Sequence, residues 1–234
     1  MFELLAYGDT GWGDELLAGT AMTVAVSLGA FLLGQVFGLL GATAKLSGRR
    51  IPAAIADVYT TLVRGIPELL VIYLLFFGSG NLLRWFAGLM GLDGYFEPNA
   101  FTVGVIAVGL ISGSYSTEVI RGAIQAVPHG QLEAARALGM RPRQVTFRIL
   151  LPQMLRFALP GLGNVWQLTL KDTSLISVTA LAEIMRTAHL AAGSTRNPFL
   201  FYSTAAVLYL LLTSLSTYAF ARAERHAGRG VRRA

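Results

Sequence analysis

The chain has 234 residues, of which 54% are hydrophobic and only 14% are charged, and its formal net charge is +6. Because a soluble domain carries about 25% charged residues, this composition excludes an ordinary water-soluble enzyme and indicates a protein that lies within a membrane. The sequence contains no cysteine, which excludes disulfides, thiolate nucleophiles and thiol-ligated metal sites.

The apolar residues form long runs. Residues 16–44, 98–117 and 197–221 contain no charged side chain, and about 20 apolar residues suffice to cross the hydrocarbon core. Two further apolar stretches contain a few charges. We therefore predict an all-α polytopic membrane protein, one domain over residues 1–234. Its five transmembrane helices are expected at about 16–44, 55–82, 98–122, 155–180 and 198–221.

The distribution of Lys and Arg predicts the orientation. With the C-terminus inside and the N-terminus outside, 15 basic residues lie on the cytoplasmic side and 3 on the other, a strong positive-inside bias. The basic residues cluster at the ends of the spans and in one loop, so anionic lipid is a better explanation for them than nucleic acid.

The second predicted helix carries three charged residues, Asp57, Arg64 and Glu68. Charged groups inside a span are costly and are usually functional or paired. Arg64 and Glu68 are spaced i, i+4, and Asp57 lies seven residues before Arg64, so an ion pair bracing this helix is one interpretation. The other is that Asp57 or Glu68 lines a translocation path. For Glu118 and Arg121 in the third helix, the i, i+3 spacing predicts a local brace.

The segment 123–154 between the third and fourth helices is predicted to be a cytoplasmic loop. Ala134, Ala135 and Ala137 favour a helix, and Leu132, Ala135 and Leu138 form a small apolar stripe. Gly139 is a helix C-terminal signal and Pro142 suits the first turn of a second helix. Pro152 is expected to mark the return to the bilayer. Such a helix pair can seat in a groove of a partner or lie on the lipid.

The fourth predicted helix is rich in polar residues and is expected to line the translocation path. Adjacent charges point apart on a helix, so Lys171 and Asp172 need partners on other helices or in a wet cavity. The candidates from this segment are Asn164, Gln167, Lys171, Asp172 and Ser174.

The sequence contains no pattern typical of a metal site or a nucleotide site. His129, His189 and His226 lie far apart with no metal-ligand spacing, and no metal site is predicted. The phosphate-binding pattern G-x-x-x-x-G-K-[ST] does not occur, so any energy must come from a partner or an ion gradient.

Several motifs carry a family resemblance. The loop contains Glu133-Ala134-Ala135, Gly139, Ile149, Leu151 and Pro152 at the spacing of the EAA loop, and in this it resembles the membrane subunits of ATP-binding-cassette importers. The segments 64–70, 115–131 and 171–177 are similar to the polar amino-acid branch of that family. Residues 159–167 resemble the Q-type subunits of histidine/arginine/ornithine and opine permeases.

The resemblance implies a function. It implies that Glu133, Ala134, Ala135, Gly139, Ile149, Leu151 and Pro152 dock onto a separate ATPase subunit, present in two copies, which binds ATP and Mg²⁺. The chain would bind no cofactor, catalyse nothing and act in the bacterial inner membrane with a periplasmic amino-acid-binding protein. Its expected substrates are polar amino acids of the basic kind, or opines.

The resemblance also implies a second permease subunit, of the related M type. In this subset one subunit can carry an acidic residue that contacts the cationic substrate, but the matching stretch here reads Asn164-Val165. The carboxylate is therefore expected from the partner. Two other classes remain open: a gradient-driven carrier or channel, and a membrane scaffold that transports nothing.

Overall fold

In the computed structural model, residues 2–8, 11–89, 99–179 and 181–229 are described, and their regular structure is entirely helical. A short 3₁₀ turn, Phe2–Leu5, precedes α1 (Gly13–Leu46), α2 (Arg50–Gly65), α3 (Glu68–Leu89) and α4 (Ala100–Gln125). The loop region holds α5 (His129–Ala137) and α6 (Pro142–Gln144). A π-helical segment, Val145–Leu150, leads into α7 (Leu151–Asp172), which a 3₁₀ segment, Thr173–Thr179, extends. The chain then forms α8 (Ile184–Thr195) and α9 (Pro198–Ala227).

Four of these helices, α1, α3, α4 and α9, are long and apolar enough to cross a membrane. A fifth crossing results if the helical run Pro142–Thr179 and α8, which meet at an angle of 49°, form one broken span. The all-α membrane fold class predicted from the sequence is therefore confirmed.

Helix α4 occupies the centre of the bundle and packs along α1. A Cβ atom added at Gly34 would meet Ser112 Oγ at 2.7 Å, and one at Gly38 would meet Ser116 Cβ at 2.6 Å. These glycines allow the backbones of α1 and α4 to approach closely, as small residues do between membrane helices. The Gly34-x-x-x-Gly38 pattern thus serves packing within this chain.

The predicted second helix, 55–82, is two helices. Pro67 has no N–H to donate and disfavours helical geometry in the residue before it. Ile66 is accordingly extended (φ −104°, ψ 140°), and α2 ends at Gly65 while α3 begins at Glu68.

The predicted fourth helix, 155–180, also differs. The described chain is helical without a break from Pro142 to Thr179, so Pro152 does not mark a separate entry into the bilayer. The π-helical segment lies just before Pro152; its wider i→i+5 pairing offers a way to fit a proline, which removes a donor, into a continuing helix. Ala180, the predicted end, lies outside the described residues, as does Pro98 in the third predicted helix.

Helix α8 was not predicted from the sequence. Its N-cap residue Glu183 is buried, and the Glu183 carboxylate accepts hydrogen bonds from the N–H groups of Met185 (2.9 Å) and Arg186 (2.6 Å) and from the Tyr209 hydroxyl (2.9 Å). Thr23 Oγ1 accepts the N–H of Ile184 at 3.2 Å. This polar junction ties the start of α8 to α1 and α9.

Candidate coupling surface and transport site

The loop between α4 and α7 has a defined helix–glycine–helix geometry. Helix α5 ends in two overlapping hydrogen bonds, from Gly139 N–H to Arg136 O (2.9 Å) and from Met140 N–H to Ala135 O (3.2 Å). This is the Schellman arrangement, which requires a left-handed residue after the helix. Gly139 supplies it with φ +75°, so the sequence prediction of a glycine stop here is confirmed.

The predicted coupling residues do not all face the same way. Glu133, Ala134, Gly139 and Pro152 are exposed, Ile149 and Leu151 are half-buried, and Ala135 is buried. Ala135 therefore anchors α5 to the rest of the chain and cannot itself contact a partner in this arrangement. The predicted stripe is likewise divided, because Leu132 packs inward against the core cluster at the base of the loop whereas Leu138 points away from it.

Two large apolar side chains project from this loop. Leu138 is 83% exposed and Phe147 is 65% exposed. Large apolar side chains that are exposed outside the membrane spans are candidates for contact with another protein. Sequence reasoning missed Phe147, although a phenylalanine among Arg143, Thr146 and Arg148 is a usable signal.

A cluster of ion pairs lies at the base of this loop, and we call Lys45, Asp57, Glu118 and Arg121 the Lys45 cluster. Lys45 Nζ lies 2.7 Å from Asp57 Oδ1 and 2.7 Å from Glu118 Oε1, and it also donates to Thr60 Oγ1 at 2.7 Å. Arg121 pairs with the other oxygen of Glu118 at 2.8 Å, as the i, i+3 spacing predicted. Asp57 thus pairs with α1 and not with Arg64.

A second polar group draws its members from α2, α3, α4 and α7, and we call Arg64, Glu68, Tyr115 and Asp172 the Tyr115 cluster. The Arg64 guanidinium lies over the Tyr115 ring, 5.3 Å from its centroid. The Tyr115 hydroxyl donates to Glu68 Oε1 at 3.1 Å. The predicted i, i+4 pair of Arg64 with Glu68 is wrong, because the break at Pro67 separates the two residues onto different helices.

Asp172 completes the Tyr115 cluster from α7. Its half-buried carboxylate lies within electrostatic reach of Glu68 and Tyr115. The structure thus brings together two acids that are far apart in sequence. Like charges held near one another attract a cation.

A polar cavity of about 510 Å³ connects the two clusters. Its lining consists of Lys45, Thr60, Thr61, Arg64, Gly65, Tyr115 and Glu118. Of the predicted path residues, Arg64 lines the cavity. Glu68 and Asp57 do not line it but contact residues that do: Glu68 accepts a hydrogen bond from Tyr115, and Asp57 pairs with Lys45.

The other candidates on the fourth predicted helix lie elsewhere. Gln167 Nε2 donates to Thr217 Oγ1 at 3.0 Å and so joins α7 to α9. Asn164 and Lys171 are exposed on α7, and the Ser174 hydroxyl donates to the carbonyl of Lys171 at 2.7 Å. The chain alone does not gather these residues into the cavity. Within the described ranges no group of three His, Asp or Glu residues is placed to hold a metal ion.

Comparison with known proteins places this architecture in a family. The chain matches the family described as binding-protein-dependent transport system inner membrane component over residues 34–225. It is 57% identical over 230 residues, 98% of each chain, to the nopaline transport system permease protein NocQ of Agrobacterium fabrum. It is 39% identical to the histidine/lysine/arginine/ornithine permease HisQ of Escherichia coli K12, covering 96% of this chain and 98% of that one.

A solved structure agrees with these relatives. The chain is similar to one in the crystal structure of an amino acid ABC transporter with histidines, with a TM-score of 0.77 and 30% identity over 92% of this chain and 95% of that chain. Together with the helical bundle and its loop, these similarities show that the chain belongs to the binding-protein-dependent transport system inner membrane component family, among the permease subunits of polar amino-acid ABC importers.

Proposed function

We propose that this chain is the permease subunit that carries opines or basic amino acids through an ATP-driven importer of the bacterial inner membrane. A separate ATPase, in two copies, holds ATP and Mg²⁺, and a periplasmic binding protein delivers the substrate. The substrates that the names of NocQ and HisQ give, nopaline and histidine, lysine, arginine and ornithine, support this substrate class.

The observation that carries the coupling role is the exposure of Leu138 and Phe147 on a loop whose helix α5 is anchored by the buried Ala135. Burial of a large apolar side chain contributes about 1.5–3 kcal/mol, so these two residues can anchor a partner. Glu133 and Ala134 are exposed beside them. A rigid knob seated in a partner transmits rigid-body motion when the interface repacks between discrete arrangements.

The transport role rests on the Tyr115 cluster. Glu68 and Asp172 supply two half-buried carboxylates, and a guanidinium or ammonium of a substrate complements them. The Arg64 guanidinium lies over the Tyr115 ring, and a substrate cation can take its place beside these carboxylates. Because Asn164 stands where the family can have an acid, the second permease subunit, of the related M type, supplies the remaining carboxylate.

Much apolar surface remains for this second subunit and for lipid. Leu74 and Phe77 on α3 are 61% and 65% exposed, and Leu211 and Leu215 on α9 are 61% and 69% exposed. Lipid alone can cover these apolar faces, so they do not require a second subunit. The carboxylates of the Tyr115 cluster, however, form only one side of a cavity, and a second subunit is needed to form the other side.

The coupling role is tested in vesicles that contain the complete importer. Replacing Leu138 by Asp should abolish binding-protein-stimulated ATP hydrolysis and ATP-driven uptake, while the chain still inserts in the membrane. Gln131→Ala, an exposed change on the same helix α5, is the matched control and should retain both activities. Normal uptake by the Leu138→Asp variant would contradict ATPase docking at this loop, and uptake without any ATP would favour a gradient-driven carrier.

The substrate class is tested separately, by measuring ATP hydrolysis with nopaline, octopine, arginine, histidine and glutamate. We expect at least one of nopaline, octopine, arginine and histidine to stimulate ATP hydrolysis, and glutamate not to stimulate it. Stimulation by glutamate alone would exclude the proposed class without affecting the coupling role.

A further inference from the structure

The lower parts of α7 and α9 enclose a groove that opens to the outside of the bundle at the loop end. It has a volume of about 690 Å³ and is lined by Pro152, Leu155, Leu159, Ala219, Arg222, Ala223, His226 and Ala227. We call it the α7–α9 groove. Five of the eight lining residues are alanine or leucine, and both polar ones are basic.

The basic residues of the groove come directly after the uncharged run of α9. Residues 198–221 of α9 carry no charge, so Arg222 is the first charged residue met on leaving the hydrocarbon region along this helix. Arg156 on α7 similarly precedes the uncharged run 157–170. Arg222 and His226, which are spaced i, i+4 and both exposed, therefore stand where phospholipid headgroups lie.

The α7–α9 groove shares one wall residue with a second groove. Ala219 also lines a second, apolar groove of about 310 Å³, whose other walls are Leu28, Phe31, Leu32, Trp166, Ser216 and Phe220. From Ser216 to His226 a helix rises about 15 Å. One leaflet of a membrane contributes about 15 Å of hydrocarbon, so the length of the combined groove matches one acyl chain.

The charges that line the groove favour an anionic lipid headgroup. Glu224, on the same turn of α9, is half-buried and does not line the groove. Within the described part of the chain, Arg222 has no ion pair, and the groove presents two basic groups without an acid. The phosphate of an anionic lipid can accept hydrogen bonds from both Arg222 and His226. A zwitterionic headgroup is less favourable, because it also places a positively charged group next to these two basic residues.

We propose that the α7–α9 groove binds an anionic phospholipid of the loop-side leaflet, with its phosphate on Arg222 and His226 and one acyl chain lying along Leu155, Leu159 and Ala219. The lipid then seals the seam between the helix that leaves the coupling loop and the last membrane helix. This site is separate from the cavity between the Lys45 and Tyr115 clusters.

The test uses the complete importer, purified in mild detergent, stripped of lipid and offered phosphatidylglycerol or phosphatidylcholine with identical acyl chains. Bound lipid is counted by mass spectrometry of the intact complex. We expect phosphatidylglycerol to be retained in preference. Arg222→Gln should lower its retention about fivefold, because one basic residue near an anionic surface contributes about that factor.

Two controls separate a site from general attraction. Arg225→Gln removes the same charge from an exposed position of α9 outside the groove and should leave retention unchanged. Ala223→Phe should fill the groove and reduce retention of phosphatidylglycerol, whereas Leu210→Phe, at an exposed position on a different face of α9 and outside both grooves, should not.

Equal retention of the two lipids, or an equal loss in the Arg225→Gln variant, would overturn the proposal. So would an efficient cross-link from an Ala223→Cys variant to the ATPase or to the second permease subunit, because a protein would then occupy the groove. Copurification of the partner subunits with each variant shows that a loss of lipid does not come from misassembly.

Discussion

Lys45 on α1 and Glu118 on α4, 73 residues apart in sequence, are joined by a 2.7 Å ion pair between Nζ and Oε1. The Lys45 side chain is only 11% exposed, and its second carboxylate, Asp57, comes from α2. One ammonium therefore links α1, α2 and α4. Any movement of α2 relative to α1 and α4 must stretch or exchange these contacts.

The first prediction follows from this linkage. Lys45→Met should lower the free energy of unfolding by about 1 kcal/mol, because the partly buried Glu118 keeps only Arg121 while Asp57, which is 64% exposed, is hydrated by water. Thermal unfolding of the purified chain in detergent measures the change. Arg50→Met, an exposed basic residue at the start of α2, is the control, and an equal loss there would show that the effect is only one of net charge.

The second prediction concerns the glycine that ends α5. Gly139→Ala should lower loop stability by about 1–2 kcal/mol, because a side chain disfavours φ +75°. No atom lies within 4 Å of the added Cβ, so the effect is conformational and not steric. We expect weaker stimulation of ATP hydrolysis in the complete importer.

Gly130→Ala is the matched control for Gly139→Ala. Gly130 lies in the first turn of the same helix, is also open to solvent on its Cβ side and has no positive φ. Alanine favours the helix there, so activity should be preserved. If both variants lost stimulation equally, backbone conformation at Gly139 would not be the cause.

Local sequence signals were sufficient where structure depends on neighbours in the chain. The uncharged runs predicted α1 and α4 within three residues and the start of α9, although α9 continues to Ala227, beyond the predicted end at 221. The glycine and proline of the loop predicted where α5 ends and the next helical run begins. Pro67 carried an equally local signal for the break between α2 and α3. The apolar residues on both sides of it favoured one continuous span instead, and that interpretation was wrong.

The polar contacts could not be predicted in the same way, because their partners come from other helices. Arg64 and Glu68 had helical spacing for each other, yet each contacts Tyr115. Lys45 appeared only as a basic residue at the end of a span, although it joins α1 to two other helices. Glu183 stood in a segment without a predicted role, and its burial depends on packing against Thr23 and Tyr209. The roles predicted for the coupling and path residues stay predictions.

The third prediction tests the contact between α1 and α4. Gly34→Ala should lower the free energy of unfolding by about 1–3 kcal/mol, because the added Cβ would lie 2.7 Å from Ser112 Oγ and 3.1 Å from the backbone nitrogen of Gly113. Thermal unfolding in detergent again measures the change. Gly78→Ala on α3 has no atom within 4 Å of its Cβ and should be neutral or slightly stabilising, and a comparable loss there would refute close packing as the cause.

The last prediction concerns the buried start of α8. The Tyr209 hydroxyl donates to Glu183 Oε2 at 2.9 Å, and a hydrogen bond to a charged group contributes about 1.5–3 kcal/mol. Tyr209→Phe should therefore loosen α8 from α9, and we expect faster hydrogen exchange at the amides of Met185 and Arg186, whose N–H groups share the same carboxylate. Tyr218→Phe removes a hydroxyl from the same helix at a position that is 58% exposed, and it should leave that exchange unchanged. Unaltered exchange in the Tyr209→Phe variant would mean that the two backbone N–H groups alone hold Glu183, and that α8 does not depend on α9 for its position.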